Sequence, residues 1–306
     1  MMDTGLAART TFPPAPGPWS WLRRELSLTA RMMADNSVVS IPPPVLFTAA
    51  ACAYAGTDGA ATALHLATST VLFTLYLYVF DTVNQARSAE EDQANKPYRP
   101  IPSGLVHPSG LLRRFWCAMP LYTILGWALG VLEWTLLWQA VIISIYLLAR
   151  PRDYLWAKPI AMLLGTIAQL AAAWQLVTPL DAAGWKWVLT ISIVFNLPLR
   201  FEDVRDIEGD RRIGRRTLPL ITGHWPVRIW FAAVLIGLPF ALYFLLFAPS
   251  PTSTTATAIC TLIIALMSWT AATHSLVRHT VRADRITYQL YCLTYAAALA
   301  SGIALL

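Results

Sequence analysis

Nine of the 17 carboxylates in this sequence fall in two short stretches, and both stretches are threaded with arginine and lysine. The first contains Asp81, Asn84, Gln85, Arg87, Ser88, Glu90, Glu91, Asp92, Lys96 and Arg99. The second contains Asn196, Arg200, Glu202, Asp203, Arg205, Asp206, Glu208 and Asp210. Asp203, Asp206 and Asp210 stand at i, i+3 and i+7, a spacing that on a continuous helix makes a ladder of carboxylates along one face. Asp81, Asn84, Ser88 and Asp92 stand at i, i+3, i+7 and i+11 and share a face if their helix continues past Gln85. Hard cations such as Mg²⁺ take oxygen ligands and usually bind through a few carboxylates together with substrate phosphates. Interleaved Arg and Lys supply charge-assisted donors for phosphate oxygens. Acid and base mixed on facing helices are what a metal–diphosphate clamp requires. The competing reading is a pair of solvated loops whose charges pair with one another. Tyr154 and Lys158, four residues apart, could point into the same cavity and contact phosphate, although Tyr and Lys are also common anchors at a membrane boundary.

The elements that must position these residues are set by composition. Apolar residues make up 56% of the 306 and only 13% are charged, about half the charged share of a soluble domain. The apolar residues come as nine blocks, approximately 37–55, 61–83, 108–130, 132–149, 159–178, 185–199, 227–248, 254–276 and 286–305. A bilayer core takes about 20 apolar residues per helix, and backbone groups in lipid must be satisfied within the segment. The blocks lack the alternation of barrel strands. The expected fold is therefore all-α and integral to the membrane, with nine transmembrane helices around a central cavity, capped by cytoplasmic motif-bearing loops and short helices. Residues 1–18 are Pro-rich without an apolar core and read as a disordered tail, leaving 19–306 as one transmembrane domain. Trp19, Leu22, Leu26 and Met33 fall near one face of residues 19–33, which suits a helix lying on the membrane. Cys52, Cys117, Cys260 and Cys292 lie within apolar blocks without CxxC spacing and read as small core residues.

Of 23 Lys and Arg residues, 22 lie in the N-terminal segment and the even-numbered connections; Lys186 alone lies in the others. That bias puts the N-terminus and the motif-bearing connections in the cytoplasm and the C-terminus outside. The formal charge of +6 is spent on this topology, so it argues for no nucleic-acid partner, and nothing implies a protein partner. Acids clustered at a membrane boundary are costly unless they bind something, and the something is cationic.

At these residues the sequence resembles the UbiA superfamily of intramembrane prenyltransferases, over nearly the whole chain. The family's NDxxDxxxD motif, followed by RPxPSG, aligns through Arg99-Pro100-Ile101-Pro102-Ser103-Gly104 and puts its Asn on Asn84 and its last Asp on Asp92; Gln85 and Ser88 replace the other two Asp residues. Its DxxDxxxD motif matches as Asp203, Asp206 and Asp210, and its YxxxK element as Tyr154 and Lys158. The wording NQxxSxxEED is similar to the membrane-bound terpene cyclase branch. The resemblance implies Mg²⁺ held by Asn84, Glu91, Asp92, Asp203, Asp206 and Asp210, and a farnesyl- or geranylgeranyl-class prenyl diphosphate contacted by Arg87, Lys96, Arg99, Tyr154, Lys158, Asn196, Arg200 and Arg205. Asn84, Asp92, Asp203, Asp206 and Asp210 then carry catalysis by drawing charge from the leaving diphosphate. The allylic cation would face rings such as Tyr76, Tyr78, Phe80, Trp174, Phe195, Tyr288, Tyr291 and Tyr295, which are equally at home as packing. Gln169, Gln175 and Asn196 serve either as helix–helix glue or as substrate contacts. Cyclisation of the cation is the expected outcome, transfer to an aromatic or lipid acceptor the alternative, and a transporter the distant one.

Overall fold

The computed structural model describes residues 18–306. The tail expected over residues 1–17 lies outside the described residues, and Pro18 opens the first helix. In chain order the helices that matter below are α1 Pro18–Met33, α2 Ser37–Ala55, α3 Gly59–Arg87, α4 Ala89–Asn95, α5 Pro108–Ala128, α6 Leu132–Leu148, α7 Tyr154–Gln175, α8 Ala182–Asn196, α9 Glu202–Arg205, α10 Ile207–Arg212, α11 Leu218–Thr222, α12 His224–Phe247, α13 Thr254–Val277 and α14 Val281–Leu305. No strand occurs among the described residues. Every one of the nine apolar blocks is helical. Among the described residues, seven helices are long and apolar enough to cross a membrane. The expectation of nine spans is met only that far: α5 has the length but opens on Arg113 and Arg114, and α6 is the shorter apolar helix.

Local chemistry sets the helix ends. Pro42, Pro43 and Pro44 sit in the first turn of the main α2 segment, where a missing N–H costs nothing. Gly56 ends that helix at φ 64°, a left-handed position that suits a residue without Cβ. Asp58, Asp181, Ser253 and Thr280 each accept a backbone N–H of the first turn of α3, α8, α13 and α14. Neighbouring long helices pack on one another along one core that includes Phe47, Phe73, Phe115, Trp174, Trp187 and Phe231. Trp174 is thus a core residue in contact with Phe47 and Tyr54, and not a lining residue of a cavity. Gln175 is glue: it joins Gly130, Glu133 and Trp134.

The helix α1 docks by Leu28 and Met32, both buried, and holds its place through Arg24 on the Leu105 carbonyl, Arg31 on the Tyr98 carbonyl and a Glu25–Arg114 ion pair. Trp19, Leu22 and Leu26 are exposed as an interfacial helix requires, whereas Met33 is buried. Deep between α12 and α14, Arg228 donates to Asp284 at 2.7 Å and to the Ser275 carbonyl at 2.9 Å. Removing one partner of a buried pair strands the other charge, at about 3–5 kcal/mol. Asp284→Asn is therefore expected to lower the thermal midpoint in detergent markedly, and an unchanged midpoint would refute this pairing as a structural tie.

Candidate active site

Both acidic stretches leave their long helices at a break. The backbone turns at Ser88 (φ −108°, ψ 21°) between α3 and α4, and at Asp206 (φ −104°, ψ 8°) between α9 and α10. Neither stretch is the single continuous helical face expected from its spacing. The breaks let the two short helices lie against each other instead. Asn95 Nδ2 donates to the Asp206 carbonyl at 3.3 Å, Arg215 Nη2 donates to Ser88 Oγ at 3.0 Å, and Arg215 also pairs with Glu91. At Gly209 the chains approach so closely that an added Cβ would lie 2.3 Å from Asn95 Nδ2 and 2.8 Å from Glu91 Cγ.

A polar cavity of about 530 Å³ lies beside this junction. Seven of the residues expected from sequence line it: Asn84, Glu91, Lys96, Arg99, Tyr154, Lys158 and Asp206. Asp92, Asp203 and Asp210 do not line it; each is buried behind a cation that does. Arg99 holds Asp92 at 2.9 Å, Lys158 holds Asp203 at 2.6 Å, and Arg215 reaches Asp210 at 3.4 Å. Asp206 lies 3.8 Å from Lys96 and 3.5 Å from Arg205. Arg205 also donates to Glu202 and lies over the Tyr288 ring, behind the wall. Among the described residues no three His, Cys, Asp or Glu side chains converge as a metal site, because every motif carboxylate is tied to an Arg or Lys. The donor set nonetheless fits a hard cation: carboxylate and amide oxygens without sulfur or imidazole.

Two expected phosphate contacts sit elsewhere. Arg200 donates to the Leu155 carbonyl and lines neither cavity. Arg87 is exposed in an adjacent outer groove. Asn196 lies deeper, in a second cavity of about 820 Å³ lined by Tyr76, Phe80, Trp138, Phe195, Tyr288, Tyr291 and Tyr295. Gln169 lines it too while bridging Ser40 and Tyr295. Tyr78 packs, half-buried, against both the main core and the smaller cluster of Leu28, Met32 and Leu111. The two cavities share Asn36, Phe80, Met162 and Glu202, so a charged compartment adjoins an aromatic one across these four residues.

Sequence reasoning passed over Asn36, Tyr146, Glu202, Arg215 and Trp138. Asn36 carries no motif and reaches the site only because Asp81 accepts its Nδ2 at 2.6 Å. Glu202 opens the second acidic run and Arg215 follows it, and that proximity was the available signal. Trp138 sits in an apolar block and is brought to the chamber by stacking on Tyr76, with centroids 4.4 Å apart.

The short helices α4 and α10 each carry a carboxylate with a raised pKa. Burial, against the opposing pull of Arg99 and Lys96, lifts Asp92 to about 6. Burial and then the negative charge of Glu91 lift Asp210 to about 7. Both groups take up protons as pH falls through these values.

A sequence model of the UbiA prenyltransferase family matches residues 45–303. The chain belongs to the UbiA prenyltransferase family. Among its UbiA relatives, somaliensene A/B synthase of Streptomyces somaliensis is 32% identical over 285 residues, spanning 93% of this chain and 95% of that protein. Polyprenyl transferase eriF of Hericium erinaceus is 34% identical over 171 residues, 55% of this chain and 58% of that one. A UbiA homolog from Archaeoglobus fulgidus, solved bound to DMAPP and Mg²⁺, superposes with a TM-score of 0.61 over 91% of this chain and all of that one, at 13% identity. UbiA membership makes the chain an intramembrane enzyme acting on prenyl diphosphates, and it sets the transporter reading aside.

Proposed function

We propose that this UbiA protein is a Mg²⁺-dependent terpene cyclase that ionises a farnesyl- or geranylgeranyl-class diphosphate and folds the resulting cation onto its own double bonds. The observation that carries the reading is a charged pocket adjoining a chamber walled by seven aromatic rings. The name and near full-length match of the somaliensene synthase support it. In this reading Lys96, Arg99, Lys158 and Arg215 turn from their carboxylate partners toward the phosphate oxygens. That releases Glu91, Asp92, Asp203, Asp206 and Asp210, with Asn84, to hold the metal. When bound, Mg²⁺ supplies Lewis-acid neutralisation of the leaving diphosphate. The prenyl chain lies past Phe80 and Met162 with its tail among the rings, where water is excluded. The charge bias orients the charged end and the N-terminus toward the cytoplasm, with α5 and α6 completing nine spans.

Purified protein given farnesyl or geranylgeranyl diphosphate alone should release diphosphate and a cyclic terpene. Strict dependence on an added acceptor would overturn cyclisation in favour of prenyl transfer. That second reading draws on one feature, the Asn196 Oδ1, a buried chamber oxygen with no hydrogen-bond partner.

Cation–π contact contributes roughly 1–2 kcal/mol per desolvated ring, so Phe195→Leu should shift the product ratio by about 5- to 30-fold while diphosphate release stays within a few-fold. Equal product ratios would remove Phe195 from cation guidance. The pH dependence has a fixed sign. Metal must displace protons from Asp210 below about pH 7 and from Asp92 below about pH 6. The Mg²⁺ concentration for half-maximal rate should therefore rise as pH falls, approaching tenfold per unit for each proton displaced. A flat Mg²⁺ requirement from pH 8 to 5.5 would contradict it.

A further inference from the structure

Beside the polar cavity runs an open groove of about 1220 Å³ between the end of α3, the end of α6 and the segment after α10. It shares Ile145, Tyr146, Tyr154 and Arg215 with the polar cavity, so those four side chains form a common wall. Two of them are in direct contact: the Arg215 guanidinium lies over the Tyr154 ring at 4.3 Å. On its outer side the groove presents Arg87 and Arg150, both exposed. Lys96, Arg99, Lys158, Arg205 and Arg215 are all paired with carboxylates. Arg87 and Arg150, by contrast, make no ion pair among the described residues. Glu90 lines the same groove, exposed and likewise without an ion pair.

Two unpaired guanidiniums and a lone carboxylate match a diphosphate that travels with its divalent cation: the arginines take phosphate oxygens and the carboxylate faces the metal. The released diphosphate cannot leave through the aromatic chamber, whose desolvation cost for a multiply charged anion is prohibitive. It leaves on the charged side, where the wall of Tyr154 and Arg215 backs onto this groove.

We propose that the groove is a second diphosphate-binding site, outside the reaction pocket, through which the leaving group departs as its Mg²⁺ complex past Tyr154 and Arg215. This deepens the function proposed above and rests on it. The same chemistry would also hold the phosphate of an anionic lipid, so the test separates the two sources.

The probe is inorganic diphosphate with Mg²⁺, titrated calorimetrically into the full chain in nanodiscs of zwitterionic lipid. The parent should bind two equivalents, and Arg87→Gln/Arg150→Gln should bind one. Asp206→Asn should keep the groove's equivalent and lose the other. In turnover, the double variant should need at least about fivefold more added diphosphate for the same inhibition, with substrate KM changed less than about twofold. Both side chains are exposed and unpaired, and each single Gln variant gives the same readout with less perturbation. Equal stoichiometry and affinity in parent and double variant would overturn the proposal. So would a KM that rises in step with the inhibition constant, since the arginines would then act in the reaction pocket. If the parent binds one equivalent and retains anionic lipid that the double variant loses, the groove belongs to lipid headgroups and the proposal also fails. Two equivalents in a parent that never releases diphosphate from a prenyl substrate would instead sink the functional reading and leave the groove standing.

Discussion

Asp206→Asn is expected to lower Mg²⁺-dependent diphosphate release by at least about 10²-fold, equivalent to roughly 2.7 kcal/mol of lost transition-state stabilisation. Asp206 is the member of the second motif that lines the polar cavity, and its cationic neighbours, Lys96 at 3.8 Å and Arg205 at 3.5 Å, hold it loosely. Of the DxxDxxxD carboxylates it therefore needs the least rearrangement to meet a metal. The substitution keeps the shape and removes one negative charge, so helix α10 and its contacts with α4 should survive. Near-electroneutral sites of this kind work by preorganised charge, and single-group deletions in such sites cost about 10²–10³ in rate. The check is diphosphate release at saturating Mg²⁺ alongside a thermal melt. A folded variant releasing diphosphate within threefold of the parent would remove Asp206 from the reaction.

The second large effect concerns a residue with no side chain. Gly209→Val should reduce turnover by about 100-fold while the long helices remain intact. A Cβ at this position crowds the Asn95 amide and the Glu91 side chain, and the two further methyls of valine add to that crowding, so both side chains must give way. Their displacement breaks the Asn95 bond to the Asp206 carbonyl and draws Glu91 from Arg215, the ties that hold the two motifs together. Positioning errors of about 1 Å can cost 10²-fold in rate. Glycine in a helix is otherwise less favourable than other residues by up to about 1 kcal/mol, so propensity alone predicts no harm from the substitution. Gly209→Ala should fall between parent and Gly209→Val. Parental turnover by Gly209→Val would mean the approach of the two short helices is irrelevant to catalysis.

Much of this molecule was legible from the order of its residues. Block 254–276 became Thr254–Val277 and block 227–248 became His224–Phe247, because a run of about 20 apolar residues in a membrane has no option but to be helical. The prenyl diphosphate enzyme class was legible too, from the two acidic motifs interleaved with Arg and Lys at a membrane boundary. Even the pairing of Tyr154 and Lys158 on one cavity followed from a spacing of four.

Other features depended on contacts that spacing cannot encode. The continuous carboxylate face expected for Asp203, Asp206 and Asp210 is interrupted at Asp206, whose carbonyl accepts the Asp210 N–H and also takes Asn95 from 111 residues away. Arg87 and Arg200 sit within the motif stretches and still point elsewhere, because a helix turns each successive side chain by about 100° and only packing decides which direction is inward. Asn36 and Trp138 reach the cavities from segments without any motif, drawn there by Asp81 and Tyr76. The sequence by itself thus determined the helices, the charged end and the class of chemistry, all properties of composition over one or a few turns. The tertiary structure alone decided which carboxylates face the cavity and which lie behind a cation, because that depends on how helices distant in sequence meet.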